Sequence, residues 1–131
     1  MAYLIDADWF IQALGGRAPA AQTLNRLAAD GISISLVTIG EIYEGAFGLA
    51  NPQSHLTNFR EFLEPFSVLN LNDEIMERFA QIRASLRRGG QLISDFDIIV
   101  GAKALHYGLT VLTFNTRHLG RIPALKLYQP S

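Results

Sequence analysis

Residues 94–106 constrain the fold more than any other stretch of the chain. Read as a helix, the segment is apolar on nearly every side, through Ile98, Ile99, Val100, Ala102, Ala104 and Leu105, so it belongs in the interior. Its first turn nevertheless carries two carboxylates, Asp95 and Asp97. Gly101 lies four residues after Asp97 on the same helical stripe, where the missing side chain lets another backbone come close. The next segment, 108–115, is a short apolar strand bounded by Gly108 and Asn115. A plain explanation exists for the acids: Ser94 and Asp97 form a capping-box pattern with Asp in place of Glu, and a first turn favours negative charge. The rest of the chain decides whether that is enough.

Taken in order, residues 3–5 form a short apolar strand that ends at Asp6. A short helix follows over 7–14 and stops at Gly15 and Gly16. Residues 20–30 are amphipathic, with Leu24, Leu27 and Ala28 on one face and Gly31 as C-cap. Residues 32–37 read as a second strand. Thr38 then opens a helix, with Glu41 three residues later completing a second capping-box pattern. Asn51 and Pro52 break the chain before a helix over 54–64, and 66–69 reads as a strand. Asn72 caps a helix running to Arg88, with Ile75, Met76, Phe79, Ile82 and Leu86 at helical spacing. After Asn115 come a helical turn over 116–119 and an edge strand over 125–128.

Strands alternating with helices imply a single α/β domain over residues 1–131, a sandwich with a mainly parallel sheet. In such sheets the loops leaving the carboxyl ends of the strands share one edge, where ligands bind. Asp6, Glu41 and Asn115 each follow a strand, and Asp97 opens the helix before the strand that ends at Asn115. Convergence on one cleft explains this better than independent caps. Gathered carboxylates repel, and without a cation some must stay protonated. A hard divalent ion with oxygen ligands, Mg2+ or Mn2+, relieves the repulsion.

Composition excludes several classes. The chain has no cysteine, so disulfides and thiolate chemistry are out, and a reducing cytoplasm fits. No apolar run approaches the ~18 residues of a membrane span, and no secretory leader is evident, so no membrane partner is expected. The net charge of −1 conceals an asymmetry: residues 1–77 hold ten acids and three Lys/Arg, and the remainder holds two acids and eight Lys/Arg. The two late acids are Asp95 and Asp97, set in otherwise basic sequence. A basic half suits a polyanion, although solvated helix faces give the same pattern.

Four segments resemble the PIN-domain nucleases in order and spacing: residues 4–8, 35–45, 97–105 and 112–122. The resemblance spans essentially the whole chain and fits best the small VapC-type toxins of bacterial and archaeal toxin–antitoxin pairs. It implies a PIN-like three-layer α/β/α sandwich and a Mg2+- or Mn2+-dependent endoribonuclease. It places Asp6 and Asp97 as metal ligands, Glu41 as the motif glutamate, and Asn115 where many members carry a fourth Asp. A neutral residue there offsets less cation charge, which weighs against a fully occupied two-metal site. Asp95 is a candidate auxiliary acid, whereas Asp8 and Glu44 read as exposed helix residues. Arg87, Arg88, Arg117 and Arg121 flank the cleft in sequence and are candidate RNA-phosphate contacts. The resemblance also implies a cognate antitoxin, docked on an apolar groove lined by some of Trp9, Phe10, Tyr43, Phe47, Phe59, Phe62 and Phe66, and a homodimer. A housekeeping RNA-processing nuclease and a non-catalytic interaction module are the alternatives. A phospho-accepting receiver-like domain is also open: Asp6 and Asp8 supply its acid pair, but none of the strands at 32–37, 66–69 or 110–114 supplies the later Asp it needs.

Overall fold

The computed structural model describes residues 2–130. Five short strands form one parallel sheet in the order β3-β2-β1-β4-β5: β1 Tyr3–Ile5, β2 Ile32–Ser35, β3 Ser67–Leu69, β4 Thr110–Leu112 and β5 Lys126–Leu127. The chain winds outward from β1 to β3, then returns to lay β4 on the other side of β1. The strand order therefore reverses between β1 and β4, and the carboxyl ends of those strands open a crevice.

Register sets which side chains face which layer. Tyr3, Leu4 and Ile5 pair with Thr110, Val111 and Leu112. Ile5 and Leu112 join one core with α1 Ala7–Leu14, α2 Ala20–Leu27, α3 Leu36–Phe47 and α4 Pro52–Leu63. Leu4 and Val111 join the other core with α5 Asp73–Arg88, α6 Asp95–Tyr107 and the single turn α7 Thr116–Leu119. These are the three layers expected from the sequence. Strand alternation then directs Asp6 and Thr113, the next pair in register, towards the α6 side.

Four local expectations are corrected. The second strand stops at Ser35, whose hydroxyl accepts the Val37 N–H at 3.2 Å and starts α3 two residues before the expected point. Leu36 and Val37 are apolar enough to extend a strand, but the Ser35 cap decides the local structure. Thr38 consequently lies inside the helix with its hydroxyl buried and unpartnered, and Glu41 sits in the second turn rather than in a capping box. The strand before Asn115 ends at Leu112, leaving 113–115 as a loop. Gly101 makes room for a side chain, not a backbone: a Cβ there would run into Ile122 Cδ1.

α6 is buried from Ile98 to Ala104, including Lys103, which is fully buried. Its ammonium donates to Ser35 Oγ and to the Leu69 carbonyl, both at 2.7 Å, and so ties α6 to the carboxyl ends of β2 and β3. Burial lowers its pKa from 10.5 to about 8. Among the described residues no helix is long and apolar enough to cross a membrane.

Candidate active site

Asp6 ends β1 and caps α1, its Oδ1 accepting the Ala7 N–H at 2.9 Å. Its Oδ2 accepts the Thr113 hydroxyl at 2.9 Å, across the crevice from the end of β4. Asp8, in the first turn of α1, faces the same loop. Its Oδ2 accepts the Phe114 N–H at 3.1 Å, and its Oδ1 is buried with no hydrogen-bond partner. From the other layer, Asp97 reaches the loop through Asn115, whose side-chain amide donates to Asp97 Oδ2 at 3.1 Å. Glu41 approaches from α3 and borders two hollows. One, about 420 Å³, lies between α1 and α3 and is lined by Asp8, Ile11, Gln12, Arg17, Glu41 and Gly45. The other, about 350 Å³, is lined by Val37, Gly40, Glu41, Glu44 and Phe96.

The capping explanation accounts for part of this arrangement. Ser94 does cap α6, its hydroxyl accepting the Asp97 N–H at 3.2 Å. The Asp97 carboxylate returns no such bond and turns to Asn115 instead. Asn115 sits at the N-cap of α7 but its side chain does no capping. Asp6 alone both caps a helix and faces the cluster.

Like charge in a partly buried crevice shows in the protonation of the group. Burial, then the neighbouring Asp8 charge, raises the Asp6 pKa from 3.8 to about 6, against the opposing bonds from Thr113 and Ala7. Burial, followed by the charges of Asp6, Asp97, Glu44 and Asp8, raises Glu41 from 4.5 to about 7. Asp8 is raised too, chiefly by burial. No cation among the described residues pairs with any of them.

Asp8 is the residue that sequence reading underestimates. It looks like an exposed first-turn acid, yet it is half-buried and bonded to the loop after β4. One signal was present: residue 8 falls two positions after Asp6 at the start of a short helix whose next residue, Trp9, is apolar. Glu44 is exposed, as read from the sequence. Asp95 stands apart, paired with Arg83 at 2.8 Å. Arg121 holds the linker before α6, donating to the carbonyls of Gln91 and Leu92 at 3.4 and 3.3 Å. Arg87 and Arg88, at the end of α5, and Arg117, on α7, are exposed. Of the aromatic candidates, Trp9, Phe10 and Phe59 are core, Tyr43, Phe62 and Phe66 are half-buried, and Phe47 is exposed.

Among the described residues, no group of three or more His, Cys, Asp or Glu is arranged to enclose a metal ion. The donors that converge here are hard oxygens from separate elements, one of them buried and unsatisfied.

The PIN-domain family model matches residues 3–125. The chain belongs to the PIN-domain family. This PIN domain is 27% identical over 124 residues to the tRNA(fMet)-specific endonuclease VapC of Shigella flexneri, covering 95% of this chain and 94% of that protein. Its fold is similar to that in the crystal structure of VapBC2 from Rickettsia felis bound to a promoter DNA fragment, at a TM-score of 0.91, 20% identity and full coverage of both chains. It is also similar to a toxin-antitoxin complex from Klebsiella pneumoniae, with a TM-score of 0.77, 26% identity and coverage of 98% of this chain and 100% of that one.

Proposed function

We propose that this PIN domain is a divalent-metal-dependent endoribonuclease and the toxin of a toxin–antitoxin pair. One observation carries the reading. Asp6, Asp8, Glu41 and Asp97 come from three helix starts and turns around the β1/β4 crevice, and burial plus mutual repulsion hold Asp6 and Glu41 partly protonated near neutrality. Perturbed carboxylates in a cleft mark a functional site more often than a structural one. The relative from Shigella flexneri, an endonuclease acting on a tRNA, supports RNA as the substrate class.

The donor set fits Mg2+ or Mn2+. Mg2+ uses one or two carboxylates and keeps several waters, so an incomplete protein cage suits it. In this reading Asp6 and Asp97 hold the ion, Glu41 orients a ligand or a water, and Asn115 offers a neutral carbonyl oxygen. When bound, the ion would lower the pKa of an attacking water and neutralise charge on the scissile phosphate. The chain's own residues do the positioning. Thr113 and the Ala7 N–H fix the Asp6 carboxylate, the Phe114 N–H fixes Asp8, and Asn115 fixes Asp97. Cation binding would displace the protons that Asp6 and Glu41 retain in the free protein.

Exposed apolar residues support partner binding: Ile11 and Phe96 line the hollows beside Glu41, and Leu36 and Phe47 stand at the two ends of α3. An antitoxin segment and a second copy of the chain are the proposed occupants, the first supported by the Klebsiella complex. The test is incubation of purified protein with a bulk tRNA pool. Cleavage should require Mg2+ or Mn2+, stop with EDTA, and be lost in Asp97→Asn. Cutting that survives both EDTA and that substitution contradicts the reading.

A further inference from the structure

Phe114 is the one large apolar side chain in the loop that carries the site contacts, and nothing in the proposed chemistry uses its ring. Its neighbours are both committed to carboxylates: Thr113 to Asp6 and Asn115 to Asp97. Its own N–H is bonded to Asp8. The backbone that holds the ring is therefore pinned at three consecutive residues to the catalytic cluster. The ring itself lies flat on Trp9, with centroids 4.4 Å apart and planes 9° from parallel. Trp9 is 3% exposed and meets Tyr128 edge-on on a further side, at 6.0 Å and 77°. Phe114 nonetheless remains 41% exposed. One face is covered by Trp9, so the exposure belongs to the opposite face and the edge, on a residue whose N–H is bonded to Asp8.

We propose that the open face of Phe114 is a stacking platform for a nucleobase of the RNA next to the bond that is cut. The proposal rests on the ribonuclease reading and adds to it a group that grips a base rather than a phosphate. Stacking on an aromatic face is the standard way proteins hold unpaired bases, and it tolerates any base because each has a π-face. A ring already immobilised on Trp9 loses little freedom when a base arrives. The environment argues for RNA over a protein segment. A docked apolar side chain would meet a loop bonded to Asp8 and, through the adjacent residues, to Asp6 and Asp97, whereas a base brings a phosphate that a cation can bridge to those carboxylates. Arg117, three residues further along on α7, is exposed and adds positive charge close by in sequence.

The experiment compares a short labelled uridine oligomer with an abasic ribose-phosphate oligomer of equal length. Titrations are done in EDTA near pH 6, where cutting is blocked and the carboxylates carry less charge. The variants are Phe114→Leu, which keeps Trp9 covered but removes the π-face, and Phe114→Tyr, which keeps it; thermal melts establish that each folds. Wild type and Phe114→Tyr should prefer the base-bearing oligomer. Phe114→Leu should lose about fivefold or more in affinity for it and nothing for the abasic chain. The difference should persist as salt is raised, because only the phosphate contribution is salt-sensitive. Equal losses on both oligomers, or no binding of either by a wild type that still cuts tRNA, overturns the platform and leaves the nuclease standing. Unchanged affinities in Phe114→Leu overturn it too and free the ring for a protein partner. A wild type that cuts no RNA with metal present ends the ribonuclease reading and the platform with it.

Discussion

Asp6→Asn should stabilise the metal-free protein at high pH while abolishing its function. Asp6 is 6% exposed, and its pKa rises from 3.8 to about 6 on folding. At about 1.36 kcal/mol per unit, keeping that carboxylate ionised in the fold costs about 3 kcal/mol near pH 8. Asparagine removes the charge and retains one carbonyl oxygen for the Ala7 N–H or the Thr113 hydroxyl, so roughly one hydrogen bond of about 1 kcal/mol is lost. The net expectation is a gain of about 2 kcal/mol near pH 8. Below pH 4 the native carboxyl is already protonated in the fold, and the gain should vanish or become a small loss. The sign follows from linkage. A carboxyl whose folded pKa is raised binds more protons in the native state than in the unfolded one. Wild-type stability therefore falls as pH rises from about 4 to about 6 for Asp6, and on to about 7 for Glu41. Urea unfolding in EDTA, read by the single tryptophan, Trp9, measures both variants across that range. If Asp6→Asn loses about 1–2 kcal/mol equally at pH 4 and pH 8, Asp6 is a helix cap and nothing more.

Three further expectations follow from the structure. Asn115→Asp should tighten Mn2+ binding in the free protein because it adds a carboxylate beside Asp97; unchanged calorimetric affinity would place residue 115 outside the site. Gly101→Ala should destabilise by about 1–3 kcal/mol through overpacking against Ile122 Cδ1, and Ile122→Val, which deletes that methyl, should recover most of the loss. Additive effects in the urea double-mutant cycle would refute the contact. Lys103→Ala should cost about 2–5 kcal/mol, leaving a cavity and an unpaired Leu69 carbonyl, and a loss below about 1 kcal/mol would show that water replaces the ammonium.

The alternation of short strands with helices makes the layers readable before any coordinates exist. The placement of Asp6, Glu41 and Asp97 near the strand ends is equally legible, because a parallel sheet puts those ends on one edge. Contacts made by backbone and loop atoms are not. Asp8 looked solvated because its partners are the Phe114 N–H and the Thr113 hydroxyl, more than a hundred residues away in a loop whose turn leaves no pattern in the sequence. Leu36 and Val37 read as strand because β-propensity there competes with a single serine cap, and the cap wins. The pairing of Asp95 with Arg83 depends on the packing of α5 against α6, which helical periodicity alone does not fix to one residue. Lys103 is a charged residue in an otherwise apolar run, and the two acceptors at the strand ends that keep it inside are not visible in the sequence.

The central claim is that the β1/β4 crevice is a cation site built from carboxylates that hold protons until the cation arrives. Calorimetric titration of Mn2+ into the free protein near pH 6.5, in two buffers of different ionisation enthalpy, measures affinity and proton release together. Wild type and Asp95→Asn should bind Mn2+ with release of protons, and affinity should fall as pH drops through about 7 to about 6, the values of Glu41 and Asp6. Asp6→Asn and Asp97→Asn should bind at least tenfold more weakly, a difference of about 1.4 kcal/mol or more. Mn2+ binding that is undiminished in both variants, or that releases no proton, would contradict the account.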